Sequence, residues 1–422
     1  MTLSAAPAVG RVVVLGGGIA GVACVSALRA GGYGGEVVLL ERSAFPYDRP
    51  PLSKAYLAGD KDLADIALQQ PEWYSEHHIA LIGHAEASAL RPGEDRVEVE
   101  LTDGRVFAAD TVVLATGGRA ARPPIPGADS PRIHVLRDAE DADALRVALV
   151  PGARLLVVGA GLIGAEAAST ARKLGCEVVL VDPLDPPLAA AVGQTMAGWL
   201  HSQHAIHGVT TVTTHVESFQ ATRSGIAARL AGESDSREFD VVLMGVGMVP
   251  DTQLAQAAGL DVDRGILVDA AQRTSHPRVL AIGDSARLRD HARTEHWEAA
   301  QQDGQRAAAT VVGAAPPATG ARWWWSDRHD RHVEGVGESR AADDRHVVVS
   351  RGEPGDQPFA VFTLTTSTDP TTDAASHHVI GAVSVDDSSA VRAARRMIDR
   401  QVAVDPAELA DPTTDLRKLL RG

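Results

Sequence analysis

Two stretches of the chain repeat one pattern, and that pattern leaves few folds open. The first runs Val12-Val13-Val14-Leu15 into Gly16-Gly17-Gly18-Ile19-Ala20-Gly21. The second runs Leu155-Leu156-Val157-Val158 into Gly159-Ala160-Gly161-Leu162-Ile163-Gly164. Each reads as a short apolar strand, a G-x-G-x-x-G turn and a helix. Each is followed by another apolar strand that ends in an acid, Glu41 in the first copy and Asp182 in the second. Gly16 and Gly159 allow the tight turn out of the strand. Gly18 and Gly161 let the backbone approach a pyrophosphate, and Gly21 and Gly164 let helix and strand pack closely. The helix N-terminus then turns free N–H groups and partial positive charge toward the phosphates. The acids stand about 20 residues past the last glycine, where a carboxylate accepts from ribose hydroxyls. A lone turn of this kind also occurs in α/β proteins of other function. Two complete units in one chain point to two bound dinucleotides.

The rest of the composition narrows the class. A length of 422 residues suits two or three domains, and 45% apolar residues supply a core for each. The net charge of −15 argues against general binding to nucleic acid or to an anionic membrane. The two cysteines, Cys24 and Cys176, each sit in an apolar setting beside a dinucleotide unit and read as core filler, which fits a reducing compartment. Met1 to Gly10 lacks a basic segment before an apolar one, so no signal peptide is read there. The uncharged run Val12–Leu28 is too short to span a bilayer and breaks at its glycines. A cytoplasmic protein without a membrane partner is expected.

Beyond Glu41 comes Pro46-Tyr47-Asp48-Arg49-Pro50-Pro51-Leu52-Ser53-Lys54, a loop stiffened by three prolines with two cations, Arg49 and Lys54. Read alone, it is a polar surface loop. With Glu41 it closely resembles the FAD-dependent NADH:ferredoxin reductases. These are the putidaredoxin and rubredoxin reductase family, which serves Rieske oxygenases and bacterial cytochromes P-450; apoptosis-inducing factor is a more distant relative. Further matching elements are Ala115-Thr116-Gly117, the G-x-G-x-x-P run Gly245 to Pro250, Gly283-Asp284, Trp323-Trp324-Trp325-Ser326-Asp327, and the tail Ala410 to Leu416.

The resemblance implies two Rossmann-like domains, for FAD and NAD, as in glutathione reductase, plus an α+β C-terminal domain. The expected boundaries are 1–118 and 251–320 for FAD, 119–250 for NAD and 321–422 for the interface domain. FAD would be held by Gly16, Gly18, Gly21, Glu41, Arg49, Pro50, Lys54, Thr116, Gly117, Gly283, Asp284 and Trp297. NAD would be held by Gly159, Gly161, Gly164, Glu166, Asp182 and Gly247. By the same resemblance Lys54 sits near the flavin N5 and pairs with Glu166. Trp297 lies at the flavin edge, so these three carry the catalytic roles. Gly283-Asp284 is expected at a helix start, and Trp297 in a helix running through Ala307.

Asp182 accepts from a free 2′-hydroxyl and repels a 2′-phosphate, and no Arg or Lys follows it before Arg223, so NADH is expected over NADPH. His201, His204 and His207 are spaced as metal ligands on a helix are, but no cysteine or paired carboxylate supports them, and no metal is expected. Three adjacent indoles cannot all face one core, and a domain junction is the default for Trp323 to Trp325. The polar insertion from Thr366 to Ser376 has no assignment.

FAD can accept a hydride and release single electrons, which NADH does not readily do. Related flavoproteins pass electrons through a Cys-x4-Cys disulfide or one cysteine near the flavin, and no cysteine stands where that would need it. The expected acceptor is then an iron–sulfur protein, a 2Fe-2S ferredoxin or a rubredoxin. Such partners are usually acidic, so a local basic patch is required. The candidates are Arg287, Arg289 and Arg293, or Arg392, Arg395, Arg396 and Arg400. Two alternatives stay open: a reductase or oxidase acting on a small molecule or oxygen, and an NADH sensor resembling apoptosis-inducing factor. A monomer or a homodimer is expected.

Overall fold

The computed structural model describes residues 10–340, 345–355, 358–368 and 375–420. The N-terminal segment read for a signal peptide, up to Val9, lies outside these residues, as does the tip of the polar insertion, 369–374. What is described of that insertion ends one strand, Phe359–Thr368, and begins its antiparallel neighbour, Ala375–Val385. The chain divides into two compact units.

The first unit takes the chain up to Pro50, Lys61–Arg119 and Met248–Thr319. Its centre is a parallel sheet in the order Val279–Ala281, Thr111–Leu114, Arg11–Leu15, Glu36–Leu40, Ile79–Ile82. These strands are near-continuous Val and Leu because both faces are covered. Val12 and Val14 pack under the helices Ile19–Ala30 and Trp297–Val312. Val13 and Leu15 face the other way, into the core shared with the antiparallel strands Ala87–Pro92, Val97–Leu101 and Val106–Ala109. The last helix runs to Val312, past the expected end, and stops at Gly313.

Gly283-Asp284 departs from expectation. It opens a single 3-10 turn, Gly283–Ser285, not a long helix. The next residues, Ala286–Leu288, form a strand paired with Ile266–Val268, and that pairing stops helical propagation.

The second unit takes Pro51–Asp60, Ala120–Gly247 and Gly320–Gly422. Its parallel sheet has the order Thr210–Thr213, Glu177–Asp182, Arg154–Val158, Val241–Met244, Ile133–His134. The helix Leu162–Lys173 follows the glycine turn. The C-terminal residues form an antiparallel sheet of Trp323–Arg328, Arg331–Gly337, Ala375–Val385, Phe359–Thr368 and His346–Arg351. One face of this sheet is covered by the helix Ser388–Arg400. On the other, Val333, Phe359 and Val383 pack with Met196, Ala197 and Leu200 of the helix Gln194–Ile206. That shared core is why the C-terminal sheet and the second dinucleotide fold form one unit.

Strand alternation also separates the three tryptophans. Trp323 and Trp325 stack on one face with ring centroids 4.9 Å apart. Trp324 lies on the other, against the backbone of Gly335, where any side chain would collide with its indole. Among the described residues no helix is long and apolar enough to cross a membrane.

Candidate functional site

Two cradles, one in each unit, are built the same way. In the first, Gly16 has φ +104°, and a Cβ there would lie 2.3 Å from the Ala115 carbonyl oxygen, so only glycine turns out of this strand. A Cβ on Gly21 would strike the Gly16 carbonyl, which fixes how closely helix and turn pack. The helix Ile19–Ala30 begins at Gly18 with no side-chain cap and no acid in its first turn, leaving its N–H groups for an anion. The Arg49 guanidinium lies over this turn, against Gly18, and Pro50 continues the same loop. Glu41 is buried at the strand end and accepts from Gly17 N at 2.5 Å and Ser43 N at 2.8 Å.

Three further elements of the first unit belong here. Thr116 Oγ1 donates to the Asp251 carbonyl at 2.7 Å, and Asp251 N donates to the Gly117 carbonyl at 2.9 Å, closing the chain's return onto this strand end. A Cβ on Gly283 would lie 2.9 Å from Ala20 Cβ, so the Gly283-Asp284 turn sits on the first helix. The Asp284 carbonyl accepts from Arg293 Nη1 at 3.1 Å. Trp297 Nε1 donates to Asp48 Oδ1 at 2.8 Å, tying the start of its helix to the proline loop. The glycine turn, the bare helix end, the arginine above it and the buried acid are a donor set that fits the diphosphate and ribose of a dinucleotide.

The second cradle repeats this. Gly159 has φ +96°, and a Cβ there would lie 2.5 Å from the Gly245 carbonyl. Gly161 caps the helix Leu162–Lys173 with open space at its Cβ position and no side-chain cap. Asp182 Oδ2 accepts from Ala160 N at 2.8 Å and Oδ1 from Leu184 N at 2.9 Å. Gly245 packs against Gly164, while Gly247 turns the chain with positive φ. Gly245 was not among the expected residues; its place in the same glycine run was the available signal.

One turn into this helix lies a dense polar cluster. Glu166 is only 5% exposed, yet it is fully partnered. Its Oε2 is 3.3 Å from Lys54 Nζ and accepts from Ser53 Oγ at 2.5 Å. Its Oε1 accepts from Ser326 Oγ at 2.6 Å, and Arg328 Nη2 donates to that hydroxyl at 3.2 Å. Thr170 Oγ1 holds the Ser53 carbonyl at 2.8 Å, fixing the Lys54 segment to the helix. Lys54 is also 3.7 Å from Asp327 Oδ2. Burial lowers the Arg328 pKa, with Glu166 and Asp327 opposing. A buried carboxylate held by a lysine and two hydroxyls orients a cation rigidly and is costly to break. Sequence reading missed Ser53, Ser326 and Arg328 around Glu166.

The thiols are elsewhere. Cys24 is buried, and burial pushes its pKa up to about 12; burial also raises that of Cys176. Neither is a nucleophile in this fold. Of the histidine triplet, His204 is buried and bonded ring to ring with His329 at 2.9 Å. Among the described residues no group of three or more His, Cys, Asp or Glu is placed to hold a metal.

The basic candidates for docking separate clearly. Arg287 pairs with Asp263, Arg289 with Asp261 and Arg293 with Glu295, so that patch is locally neutralised. Arg392 and Arg396 are exposed one turn apart on the helix Ser388–Arg400. They line a cleft of about 470 Å³ with Arg351, Arg417, Asp387 and Asp415, of which Arg417 and Asp415 pair at 3.0 Å.

Two linked glycine cradles on parallel sheets, a lysine–glutamate pair and a C-terminal α+β sheet define a two-dinucleotide oxidoreductase. The chain belongs to the pyridine nucleotide-disulphide oxidoreductase family, whose model matches residues 10–304; a reductase C-terminal model matches residues 323–420. It is 32% identical to rhodocoxin reductase of Rhodococcus erythropolis over 96% of this chain and 93% of that one. It is 34% identical to the ferredoxin–NAD(+) reductase component of the anthranilate 1,2-dioxygenase system of Burkholderia cepacia, over 97% and 98%. In structure it matches the reductase of the covalent putidaredoxin reductase–putidaredoxin complex with a TM-score of 0.88 at 30% identity, covering 98% of both chains.

Proposed function

We propose that this chain is an NADH:ferredoxin reductase, carrying electrons from NADH to a 2Fe-2S ferredoxin that supplies a Rieske oxygenase or a cytochrome P-450. FAD, when bound, supplies the chemistry, accepting a hydride and releasing its electrons singly. The observation that carries the reading is the pair of bare glycine cradles accompanied by a Lys54–Glu166 pair, with both thiols buried and raised. A disulfide or cysteine relay has no thiolate to use.

In this reading Gly16, Gly18, Gly21 and Arg49 bind the FAD diphosphate, and Glu41 binds its ribose. Pro50, Thr116, Gly117, Gly283 and Asp284 shape the remaining contact, and Trp297 orients the flavin edge. Gly159, Gly161 and Gly164 bind the NADH diphosphate, Asp182 selects the free 2′-hydroxyl, and Gly247 lets the chain pass close by. Lys54 supplies a fixed positive charge, and Glu166 holds it in place. A cytoplasmic location belongs to the same proposal.

The test is rapid-mixing reduction of the FAD-loaded protein by NADH, followed by cytochrome c reduction with and without 2Fe-2S ferredoxin. Rapid flavin bleaching and a large ferredoxin-dependent rate are expected. Rapid bleaching with no response to ferredoxin would replace this reading with a small-molecule reductase or oxidase.

A further inference from the structure

The Lys54–Glu166 cluster does not end at Asp327. Strand pairing sets Asp327 directly opposite His332, and His332 Nδ1 lies 2.6 Å from Asp327 Oδ1. The other ring nitrogen, Nε2, is 3.4 Å from Glu334 Oε1. Glu334 is buried, and its Oε2 has no hydrogen-bond partner among the described residues. One imidazole therefore bridges two carboxylates, and one of these also faces Lys54.

The charges leave the histidine a role. Glu166, Asp327 and Glu334 stand against Lys54 and Arg328, and a protonated His332 supplies a third positive charge to the cluster. The other ionic groups at this imidazole balance each other. Arg331, on its own strand, pairs with Asp386, which also accepts from His332 N through its other oxygen. Burial disfavours the imidazolium, but Asp327 and then Glu334 outweigh it, so the His332 pKa is raised.

We propose that His332 is a positioning residue that sets, through Asp327, whether Lys54 stays with Glu166. Lys54 Nζ stands 3.3 Å from Glu166 and 3.7 Å from Asp327, within ion-pair reach of both; with His332 protonated, the imidazolium offsets the charge of Asp327 and leaves Lys54 to Glu166. With His332 neutral, the full charge of Asp327 falls on Lys54 and draws the ammonium away from Glu166. The inference rests on the reductase reading only where it concerns rate; the coupling itself is a property of the chain.

Linkage makes that coupling measurable without turnover. If the state of His332 moves Lys54, then changing Lys54 or its anchor must move the His332 pKa by the same free energy. Proton NMR titration of the full-length protein, with the His332 signal assigned by its loss in His332→Gln, provides the readout. Lys54→Met is expected to raise the His332 midpoint by removing a competitor for Asp327. Glu166→Gln is expected to lower it, although Glu166 does not touch His332, because the released lysine moves onto Asp327. Identical His332 titrations in these variants and the wild type would overturn the proposal.

Flavin reduction by NADH in the FAD-loaded enzyme supplies the second readout. The wild-type rate is expected to fall on the order of threefold as pH rises through the His332 midpoint. His332→Gln should hold the lower rate and His332→Lys the higher rate at every pH. A step that persists in His332→Gln would also overturn the proposal. Absence of NADH-driven reduction in all forms, with the NMR shifts intact, would instead count against the reductase reading.

Discussion

Asp182 has both carboxylate oxygens held by backbone N–H groups, from Ala160 and Leu184, so its charge is fixed at the end of its strand. A 2′-phosphate placed there meets that charge at close range. Asp182→Asn removes the repulsion and one acceptor together. Because a hydrogen bond to a charged group contributes about 1.5–3 kcal/mol, kcat/KM for NADH is expected to fall by about tenfold or more. The NADPH value should rise toward it. Steady-state kinetics with both nucleotides check this, and an unchanged preference ratio would remove Asp182 from cofactor selection. The acid was legible because it ends a local apolar run after a glycine turn. The partners of Glu166 were not, since Ser53 and Ser326 stand 113 and 160 positions from it. Periodicity reports neighbours along the chain, whereas these hydroxyls meet Glu166 only after three separate segments have packed. Adjacency of Ser53 to Lys54 was the one local hint.

Two helices show how elements translate into site geometry. Ile19–Ala30 and Trp297–Val312 cross at Gly304, where a Cβ would come within 2.3 Å of the Ala20 carbonyl oxygen. The first carries the glycine cradle at its N-terminus and the second carries Trp297. Gly304→Val must therefore separate the two ends, at an overpacking cost of about 1–3 kcal/mol. The expected result is a lower Tm together with loss of bound FAD, read from the visible absorbance of the purified protein. A variant that keeps its full flavin complement would show that the crossing does not set the cradle. The amphipathic helix Ser388–Arg400 makes a different prediction. It buries Val391, Ala394 and Met397 and leaves Arg392 and Arg396 in solvent. Reversing both to Glu is expected to raise the KM for an acidic ferredoxin several-fold, with the effect shrinking at high salt. NADH-driven flavin reduction should be unchanged, and an unaltered ferredoxin KM would exclude this helix from docking. The strand after Gly283-Asp284 was not legible in the sequence, because Ala286–Leu288 gains its form from Ile266–Val268, well upstream.

At the scale of the whole chain, one of the contacts between its two matched parts is sensitive to acid. His204 lies on the helix Gln194–Ile206, and His329 lies in the turn between Trp323–Arg328 and Arg331–Gly337. Their ring nitrogens meet at 2.9 Å, and His207 stacks on His329 with centroids 4.4 Å apart. A bond between two imidazoles needs one neutral acceptor nitrogen, so protonating both rings destroys it. Burial, with Arg328 and the neighbouring histidines adding to it, lowers the His204 pKa to about 2. Burial, followed by His207 and Arg328, lowers that of His329 to about 4. In an unfolded chain both titrate near 6.5. The unfolded state therefore binds more protons below that value, and stability rises with pH there. The contribution of the pair is complete above about pH 6.5 and erodes on acidification by up to about 1.4 kcal/mol per pH unit for each ring. It continues to erode until His329 charges within the fold near 4 and His204 near 2. His332 acts with the opposite sign. Its raised pKa adds stability below the unfolded value, which is lost as pH rises through its folded value. Thermal melts of the wild type at about pH 7.5 and about pH 5 should show a marked drop in Tm. The double change His204→Gln and His329→Gln, which replaces the rings with amides that do not titrate, should lower the Tm at the higher pH and make the drop to the lower pH clearly smaller. An equal drop in both proteins would place the acid sensitivity elsewhere in the chain.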